Sequence, residues 1–164
     1  MKLKKEISVV VPLYNEASNL EFFFSELNGF LASYGETYEI IFADDGSTDD
    51  SQKILLGIEK QESCVQVLSL KNNVGKAGAL EQAFKLVSGN IVIIIDCDLQ
   101  YDPVNIETLL AKIDEGYDVV SGKRVERADS NSVKVTSRVF RLIVRKLTAL
   151  SFSDYFSGLK CFKV

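Results

Sequence analysis

The amino-acid sequence predicts an α/β protein whose mainly parallel sheet is flanked by helices. Short apolar runs alternate along the chain with longer segments of helical periodicity, which is typical of βαβ units. The apolar runs are rich in Ile and Val, as buried strands of a parallel sheet are. The 164 residues suffice for one domain with its own core, and a composition of 46% hydrophobic and 26% charged residues is that of a globular chain.

The predicted elements follow in order from the N-terminus. ISVVV is the first strand, and 16–33 forms a helix with several large apolar residues on one side. YEIIFA is the second strand and STDDSQKILLGIEK the next helix, with Ser47 or Thr48 as its N-cap. VQVLSL is the third strand, 75–87 the third helix and IVIII the fourth strand. A fourth helix starts near Pro103, and YDVVSG is the fifth strand.

Polar clusters follow nearly every predicted strand. In an open parallel sheet, ligands bind beyond the carboxyl ends of the strands, where the strand order reverses. The loops expected at that edge are PLYNE (12–16), DDGSTDD (44–50), NNVGKAG (72–78), DCDLQ (96–100) and GKR (122–124). Their concentration there predicts a functional site.

Asp96 and Asp98 directly follow the fourth strand. Residues two apart on an extended segment point to the same side, so both carboxylates can face one object while Cys97 points away. Oxygen ligands suit Mg²⁺ or Mn²⁺, which keep open positions for substrate phosphates. The pattern therefore indicates a metal and diphosphate site. An equally open alternative is that one carboxylate caps the helix near Pro103 and the other is solvated.

Three further loops offer groups for a nucleotide, each with a structural alternative. Asp44 could accept hydrogen bonds from a base or ribose, although a turn and a helix cap account for the residues after it. Tyr14 offers a flat surface for a base and Glu16 an acceptor, unless PLYNE only forms the first turn of the helix. Gly75 and Lys76 let the backbone and a positive charge approach the site. Neither G-x-x-x-x-G-K-[ST] nor G-x-G-x-x-G occurs, which argues against a P-loop NTPase and a typical dehydrogenase.

Basic residues are concentrated between positions 123 and 146, where there are eight Lys or Arg and two acidic residues. That segment carries a net charge of +6 and the rest of the chain −10. Arg124 could neutralise a diphosphate or an acceptor phosphate. The pattern of 133–150 predicts a basic amphipathic helix, either solvated or lying on an anionic membrane. Nucleic acid is a less suitable partner because the rest of the chain is acidic.

Other features of the sequence bear on the compartment. Three cysteines lie far apart and there is no histidine, so common zinc sites are excluded and a reducing cytoplasm is indicated. The apolar run after the N-terminal lysines is too short for a signal peptide, and no run is long enough to span a bilayer.

The motifs VVVPLYNE, ADDGSTDD, NNVGKAGAL, GNIVIIIDCDLQYDP and DVVSGKR together resemble, in order and spacing, the family 2 inverting glycosyltransferases. The resemblance covers about residues 7–124 and implies the GT-A fold, a Rossmann-like sheet flanked by helices. It is greatest to the polyprenyl-phosphate glycosyltransferases, the dolichol-phosphate mannosyltransferase group. The DxDLQ form, SGxR after the fifth strand and the late DYFSGLKCF support that subgroup.

The resemblance implies roles for individual residues. The nucleotide-sugar site would comprise Pro12, Tyr14, Glu16, Asp44, Asp45, Lys76, Asp96 and Gln100. Asp96 and Asp98 would hold Mg²⁺ or Mn²⁺, and Asp98, Arg124 and Asp154 would lie at the reaction centre. Arg124, Arg138 and Arg141 would bind the acceptor phosphate.

The implied reaction is transfer of a hexose from a UDP- or GDP-linked sugar to a polyprenyl phosphate, in cell-envelope glycan synthesis at the cytoplasmic face of the membrane. The whole chain, 1–164, would be one catalytic domain, with a nucleotide-sugar half (1–124) and an acceptor and membrane-proximal segment (125–164). Members of this subgroup continue past the position of Val164, which implies a C-terminally truncated domain. Self-association into a homo-oligomer is left open.

Two other functions are compatible with the same residues. A saccharide hydroxyl could be the acceptor instead, in which case a positioned base is needed and Asp154 is the first candidate. A polyprenyl phosphate needs no strong base, since its oxygen is already ionised near neutral pH. The other function is non-catalytic binding of a nucleotide or a partner.

Overall fold

The computed structural model describes residues 7–122 and 157–164. Within them lies a six-stranded sheet of order β3-β2-β1-β4-β6-β5. The elements are β1 (Ile7–Leu13), α1 (Ala17–Tyr34), β2 (Tyr38–Asp44), α2 (Ser51–Gln61), β3 (Val65–Ser69), α3 (Lys76–Ala83), β4 (Ile91–Ile94), α4 (Asn105–Asp114), β5 (Val119–Ser121) and β6 (Lys160–Lys163). The predicted α/β fold with helices flanking a mainly parallel sheet is confirmed.

Strand order reverses beside β1. The chain proceeds outward from β1 through β2 to β3, and then crosses back so that β4 pairs with the other side of β1. All these pairs are parallel. The carboxyl ends of β1 and β4 therefore flank the switch point, where a parallel sheet binds its ligands.

Both faces of the sheet are covered, as the Ile- and Val-rich strands require. Val9 and Val11 of β1 face one core, where α1, α2 and α4 bury their apolar sides. Val10 faces a smaller core on the opposite side, formed with Ala79 and Ala83 of α3. The period-2 alternation along β1 thus decides which helices each side chain meets.

A sixth strand, β6, is present that the sequence analysis did not predict. β6, from the C-terminal GLKCF segment, inserts between β4 and β5 and is antiparallel to both. Ile93 of β4 pairs with Cys161, which is distant in sequence, so no local sequence pattern predicts the contact. A four-residue strand also gives little periodicity to recognise.

Two helix bounds also differ from the sequence predictions. The third helix ends at Ala83 rather than at about 87, and tight turns follow, in which Lys85 and Leu86 donate backbone hydrogen bonds to residues three positions earlier. The second helix begins at Ser51, so Ser47 and Thr48 are not its N-cap. No helix within the described ranges is both long enough and apolar enough to cross a membrane.

Candidate active site

A cleft of about 250 Å³ opens at the carboxyl ends of β1 and β4. Its walls come from the end of β1, the loop after β2, the start of α3 and the loop after β4. The lining residues are Pro12, Leu13, Tyr14, Glu16, Asp45, Lys76, Ala79, Asp96, Cys97 and Asp98. Four loops predicted to meet at this edge therefore do meet.

The segment after β2 holds the start of α1 as well as that of its own helix, where Asp49 Oδ1 accepts the backbone N–H of Ser51, the first residue of α2, at 2.9 Å. Ser47 Oγ accepts the backbone N–H of Asn15 at 2.9 Å, and Ser51 Oγ accepts that of Glu16 at 3.0 Å. Asp49 Oδ2 accepts the N–H of Ala17, the first residue of α1, at 3.1 Å. These bonds satisfy backbone donors that a helix start leaves unpaired. The Ser and Asp residues of DDGSTDD thus fix the loop that carries Tyr14 and Glu16.

Asp45 and Gly46 hold the loop after β3 beside the cleft. The Asp45 carboxylate accepts the backbone N–H groups of Val74 and Gly75 at 2.7 and 2.8 Å. Gly46 has a φ of +72°, and a β-carbon there would lie 2.7 Å from the carbonyl carbon of Asn72. Glycine is therefore required both for the turn and for the close approach of the two backbones. Asp45 lines the cleft while it anchors the start of α3.

Two of the predicted nucleotide-binding residues do not line the cleft. Asp44 is buried at the end of β2, where Oδ1 accepts the backbone N–H of Ser47 at 3.0 Å and so closes the turn. Gln100 is exposed, and its backbone N–H donates to Asp98 Oδ1 at 3.1 Å. Their direct contact with a nucleotide remains a prediction.

Asp96 and Asp98 have different surroundings. Oδ1 of Asp96 accepts a hydrogen bond from the Lys76 ammonium, and the two side chains form an ion pair. Asp98 is exposed and lines the cleft, and its Oδ1 accepts the backbone N–H of Gln100. Neither aspartate caps α4, because Asp102 Oδ1 accepts the N–H of Val104 just before that helix. The capping alternative is therefore wrong for both.

Cys97 points into the core, as the spacing predicts. It is 2% exposed and packs in the larger core, with only its edge reaching the cleft. Burial, together with the nearby carboxylates of Glu16, Asp98 and Asp96, raises the pKa of this thiol to about 12. Leu99, in the same loop, has a φ of +59°, a conformation that costs an L-residue about 1–2 kcal/mol.

Sequence reasoning gave no role to Gly158. A β-carbon at this position would lie 2.2 Å from Oδ2 of Asp96, so the backbone before β6 packs directly on that carboxylate. Next to it, Ser157 Oγ and Tyr101 Oη are hydrogen-bonded at 2.9 Å and buried. The one available signal was the Ser-Gly pair before a short apolar alternation in FSGLKCF.

The donor set at the cleft fits a cation that arrives with a substrate. Among the described residues, no cluster of three or more Asp, Glu, Cys or His could enclose a metal alone. Mg²⁺ and Mn²⁺ are commonly held by one or two carboxylates, with substrate phosphates and water as the other ligands. Asp96 and Asp98 meet that requirement, and the Lys76 ammonium already lies where a cation would bind Asp96.

Five other sequence predictions concern residues outside the described ranges. They are Arg124, Arg138, Arg141, Asp154 and the basic helix of 133–150.

Comparisons with known proteins agree with this architecture. The family model described as glycosyl transferase family 2 matches residues 8–161. Undecaprenyl-phosphate 4-deoxy-4-formamido-L-arabinose transferases from Klebsiella pneumoniae and Serratia proteamaculans are each 37% identical over 160 residues, which is 97% of this chain and 49% of theirs. The chain thus spans about half the length of these curated relatives.

Solved structures show the same fold. Glucosyl-3-phosphoglycerate synthase from Mycobacterium tuberculosis, in complex with uridine diphosphate, is 26% identical with a TM-score of 0.72, over 97% of this chain and 57% of that one. A mannosyltransferase from Pyrobaculum calidifontis, in complex with GDP-Man and Mn²⁺, has a TM-score of 0.68 over 99% of this chain and 45% of that one. At 22% identity, the second likeness concerns the fold alone.

Proposed function

The chain belongs to glycosyl transferase family 2 and has the GT-A fold, and from that premise we propose that it transfers a hexose from a UDP- or GDP-linked sugar to a polyprenyl phosphate with inversion. The observation that carries the proposal is the meeting of Tyr14, Glu16, Lys76, Asp96 and Asp98 in one cleft at the switch point of the sheet. The names of the undecaprenyl-phosphate relatives favour the lipid phosphate as acceptor.

Four side chains of the cleft have roles that their positions support. Tyr14, which lines the cleft, is 43% exposed, and its ring offers a face for the base. Lys76 supplies a positive charge for the diphosphate, and Asp96 and Asp98 hold Mg²⁺ or Mn²⁺. When bound, that ion would supply Lewis-acid stabilisation of the leaving nucleoside diphosphate.

The acceptor side rests on residues outside the described ranges. Arg124, Arg138 and Arg141 would bind the acceptor phosphate, whose ionised oxygen attacks the anomeric carbon from the face opposite the diphosphate. Asp154 would lie near the reaction centre. The basic 133–150 segment would contact the cytoplasmic face of the membrane. The division into a nucleotide-sugar half and an acceptor segment at about residue 124 belongs to the same proposal.

Calorimetric titration tests the donor half of the proposal. The chain is titrated with UDP-glucose and with GDP-mannose, with and without Mn²⁺, and the titration is repeated on Asp98→Asn. The asparagine keeps an acceptor for the N–H of Gln100, so the loop is preserved. Asp118→Asn, an exposed change at the opposite edge of the sheet, is the matched control. We expect Mn²⁺-dependent binding of one donor that only Asp98→Asn abolishes.

The acceptor is tested by transfer from that donor to undecaprenyl phosphate and to free saccharides, using the longest natural form of the protein. Product on the lipid phosphate alone supports the proposal. Transfer only to saccharides would reject the lipid acceptor, and no donor binding in either titration would reject the nucleotide-sugar site.

A further inference from the structure

Lys76 and Asp96 form an ion pair inside the cleft, on the surface that the donor would occupy. The Lys76 side chain is 50% exposed and that of Asp96 25% exposed, so both remain accessible to an incoming ligand. Among the described residues that line this cleft, Lys76 is the only basic one. Its ammonium is therefore the one positive charge that the described walls of the cleft provide to Asp96.

Tertiary contacts position both members of the pair. Lys76 is the first residue of α3, and the residue before it is held through its N–H by the carboxylate of Asp45. Asp96 is confined on its other side, where Oδ2 packs against the backbone of Gly158. The backbone at the start of α3 and the Asp96 carboxylate are thus each held by contacts outside the ion pair itself.

We propose that Lys76 is a resident counter-ion of Asp96 that competes with the divalent cation, so that the cation binds tightly only after the donor diphosphate has drawn the lysine away. This rests on the proposed function of the cleft. A cation at Asp96 and the ammonium on Oδ1 repel each other at short range. A diphosphate relieves the repulsion because it offers Lys76 another anionic partner.

Cation and nucleotide binding are consequently coupled through one side chain. If Lys76 lowers the affinity for the free cation and the nucleotide removes that effect, each ligand must raise the affinity for the other by the same factor. The arrangement disfavours a cation held without substrate.

Binding of Mn²⁺, followed by its electron paramagnetic resonance signal, tests the proposal without measuring activity. Lys76→Met and Lys76→Arg are compared with the unchanged chain, each with and without UDP. Lys112→Met is the matched control, since Lys112, on α4, forms an ion pair with Glu115 just after that helix and has a side chain that is 47% exposed. For Lys76→Met without UDP we expect Mn²⁺ affinity to rise about fivefold, the upper range for a half-exposed pair. Lys76→Arg and Lys112→Met should stay near the unchanged chain.

In Lys76→Met, the factor by which UDP enhances Mn²⁺ binding should also shrink. An unchanged or lower affinity of Lys76→Met for Mn²⁺ alone would overturn the proposal, and so would the same gain in Lys112→Met. If the chain failed to bind any nucleotide, the proposed function would fall, while the comparison with Mn²⁺ alone would still decide whether the lysine excludes the cation.

Discussion

Gly158 lies directly against the carboxylate of Asp96, with room for no side chain between them. The contact joins the segment before β6 to the loop after β4, two parts of the chain that are also neighbours in the sheet. Asp96 is thereby placed between the Gly158 backbone on one oxygen and the Lys76 ammonium on the other. The C-terminal strand therefore helps to build the cleft as well as the sheet.

Replacement of Gly158 by Ala should displace the Asp96 carboxylate. The new β-carbon would approach Oδ2 to 2.2 Å, so the side chain must rotate or the segment before β6 must shift. We expect affinity for the nucleotide sugar with Mn²⁺ to fall about tenfold or more, because small misplacements of site groups have large effects. Calorimetry on the variant measures the loss.

Two controls separate this effect from general destabilisation. Gly29→Ala, on an open part of α1 with nothing within 4 Å of the new β-carbon, should leave binding unchanged. In an Asp96→Ala background, Gly158→Ala should change the free energy of unfolding much less than in the unchanged chain, because the carboxylate it would strike is absent. Undiminished nucleotide affinity in Gly158→Ala would show that the contact with Gly158 does not position Asp96 for binding.

The sequence predicts the local elements of this fold well because their signals are local. The Ile- and Val-rich runs mark β1, β2 and β4, and the apolar period of α1 places its bounds within one residue. Parallel strands put the polar loops at one edge, and the structure brings Tyr14 and Asp98 together there. The roles of these residues in binding remain predictions.

Several differences from the sequence predictions arise from contacts between distant parts of the chain. Ser47 has the chemistry of an N-cap, but its hydroxyl is used by the loop before α1. Asp44 closes a local turn through Ser47 and does not line the cleft, and its contact with a nucleotide stays a prediction. Gly158 acquires its importance only when β6 pairs with β4. A single sequence cannot indicate which of several satisfactory partners a polar side chain takes.

A buried carboxylate at the opposite edge of the sheet should matter for stability alone. Glu39 is 1% exposed, and its Oε1 accepts Ser8 Oγ at 2.6 Å and the N–H and hydroxyl of Ser88 at 2.9 and 2.7 Å. Glu39→Ala leaves these donors without their acceptor, so we expect a loss of about 3 kcal/mol in the free energy of unfolding. Urea denaturation measures it, with the exposed Glu81→Ala as the control.

A measurement of nucleotide binding shows whether Glu39 affects only stability or also the cleft. Folded Glu39→Ala should bind donor and Mn²⁺ like the unchanged chain, since Glu39 does not line the cleft. A stability change within about 0.5 kcal/mol, the range of ordinary surface substitutions, would show that the network contributes little.

The three thiols should differ sharply in reactivity. Burial raises the pKa of Cys161 to about 12, as burial and nearby carboxylates do for Cys97, so neither forms appreciable thiolate near pH 8. Cys64 is only partly buried. We expect iodoacetamide to modify Cys64 alone in the folded chain and all three thiols in urea, as mass spectrometry of peptides would reveal. Modification of Cys97 as fast as Cys64 in the folded chain would show that the cleft opens to the core.

Because Asp49 caps α1 through its carboxylate, the free energy of unfolding should depend on pH in the acidic range. Asp49 is exposed, and its slight desolvation opposes ionisation, but hydrogen bonds from Ser51 and from the backbone N–H of Ala17 outweigh it and hold the pKa of Asp49 below the usual 3.8. A depressed carboxyl pKa stabilises the folded state fully above the unfolded value, and that contribution is lost as the pH falls through the lower, folded value. Asn at this position cannot ionise, so the stability difference between the unchanged chain and Asp49→Asn should be constant near neutral pH and shrink below about pH 4. Urea denaturation across this pH range measures the stability difference.

Ser47→Ala, which removes a neutral cap from the same loop, is the control. It is expected to cost about 1 kcal/mol at every pH. A difference for Asp49→Asn that persisted unchanged into strong acid would mean that the cap does not depend on the charge of Asp49.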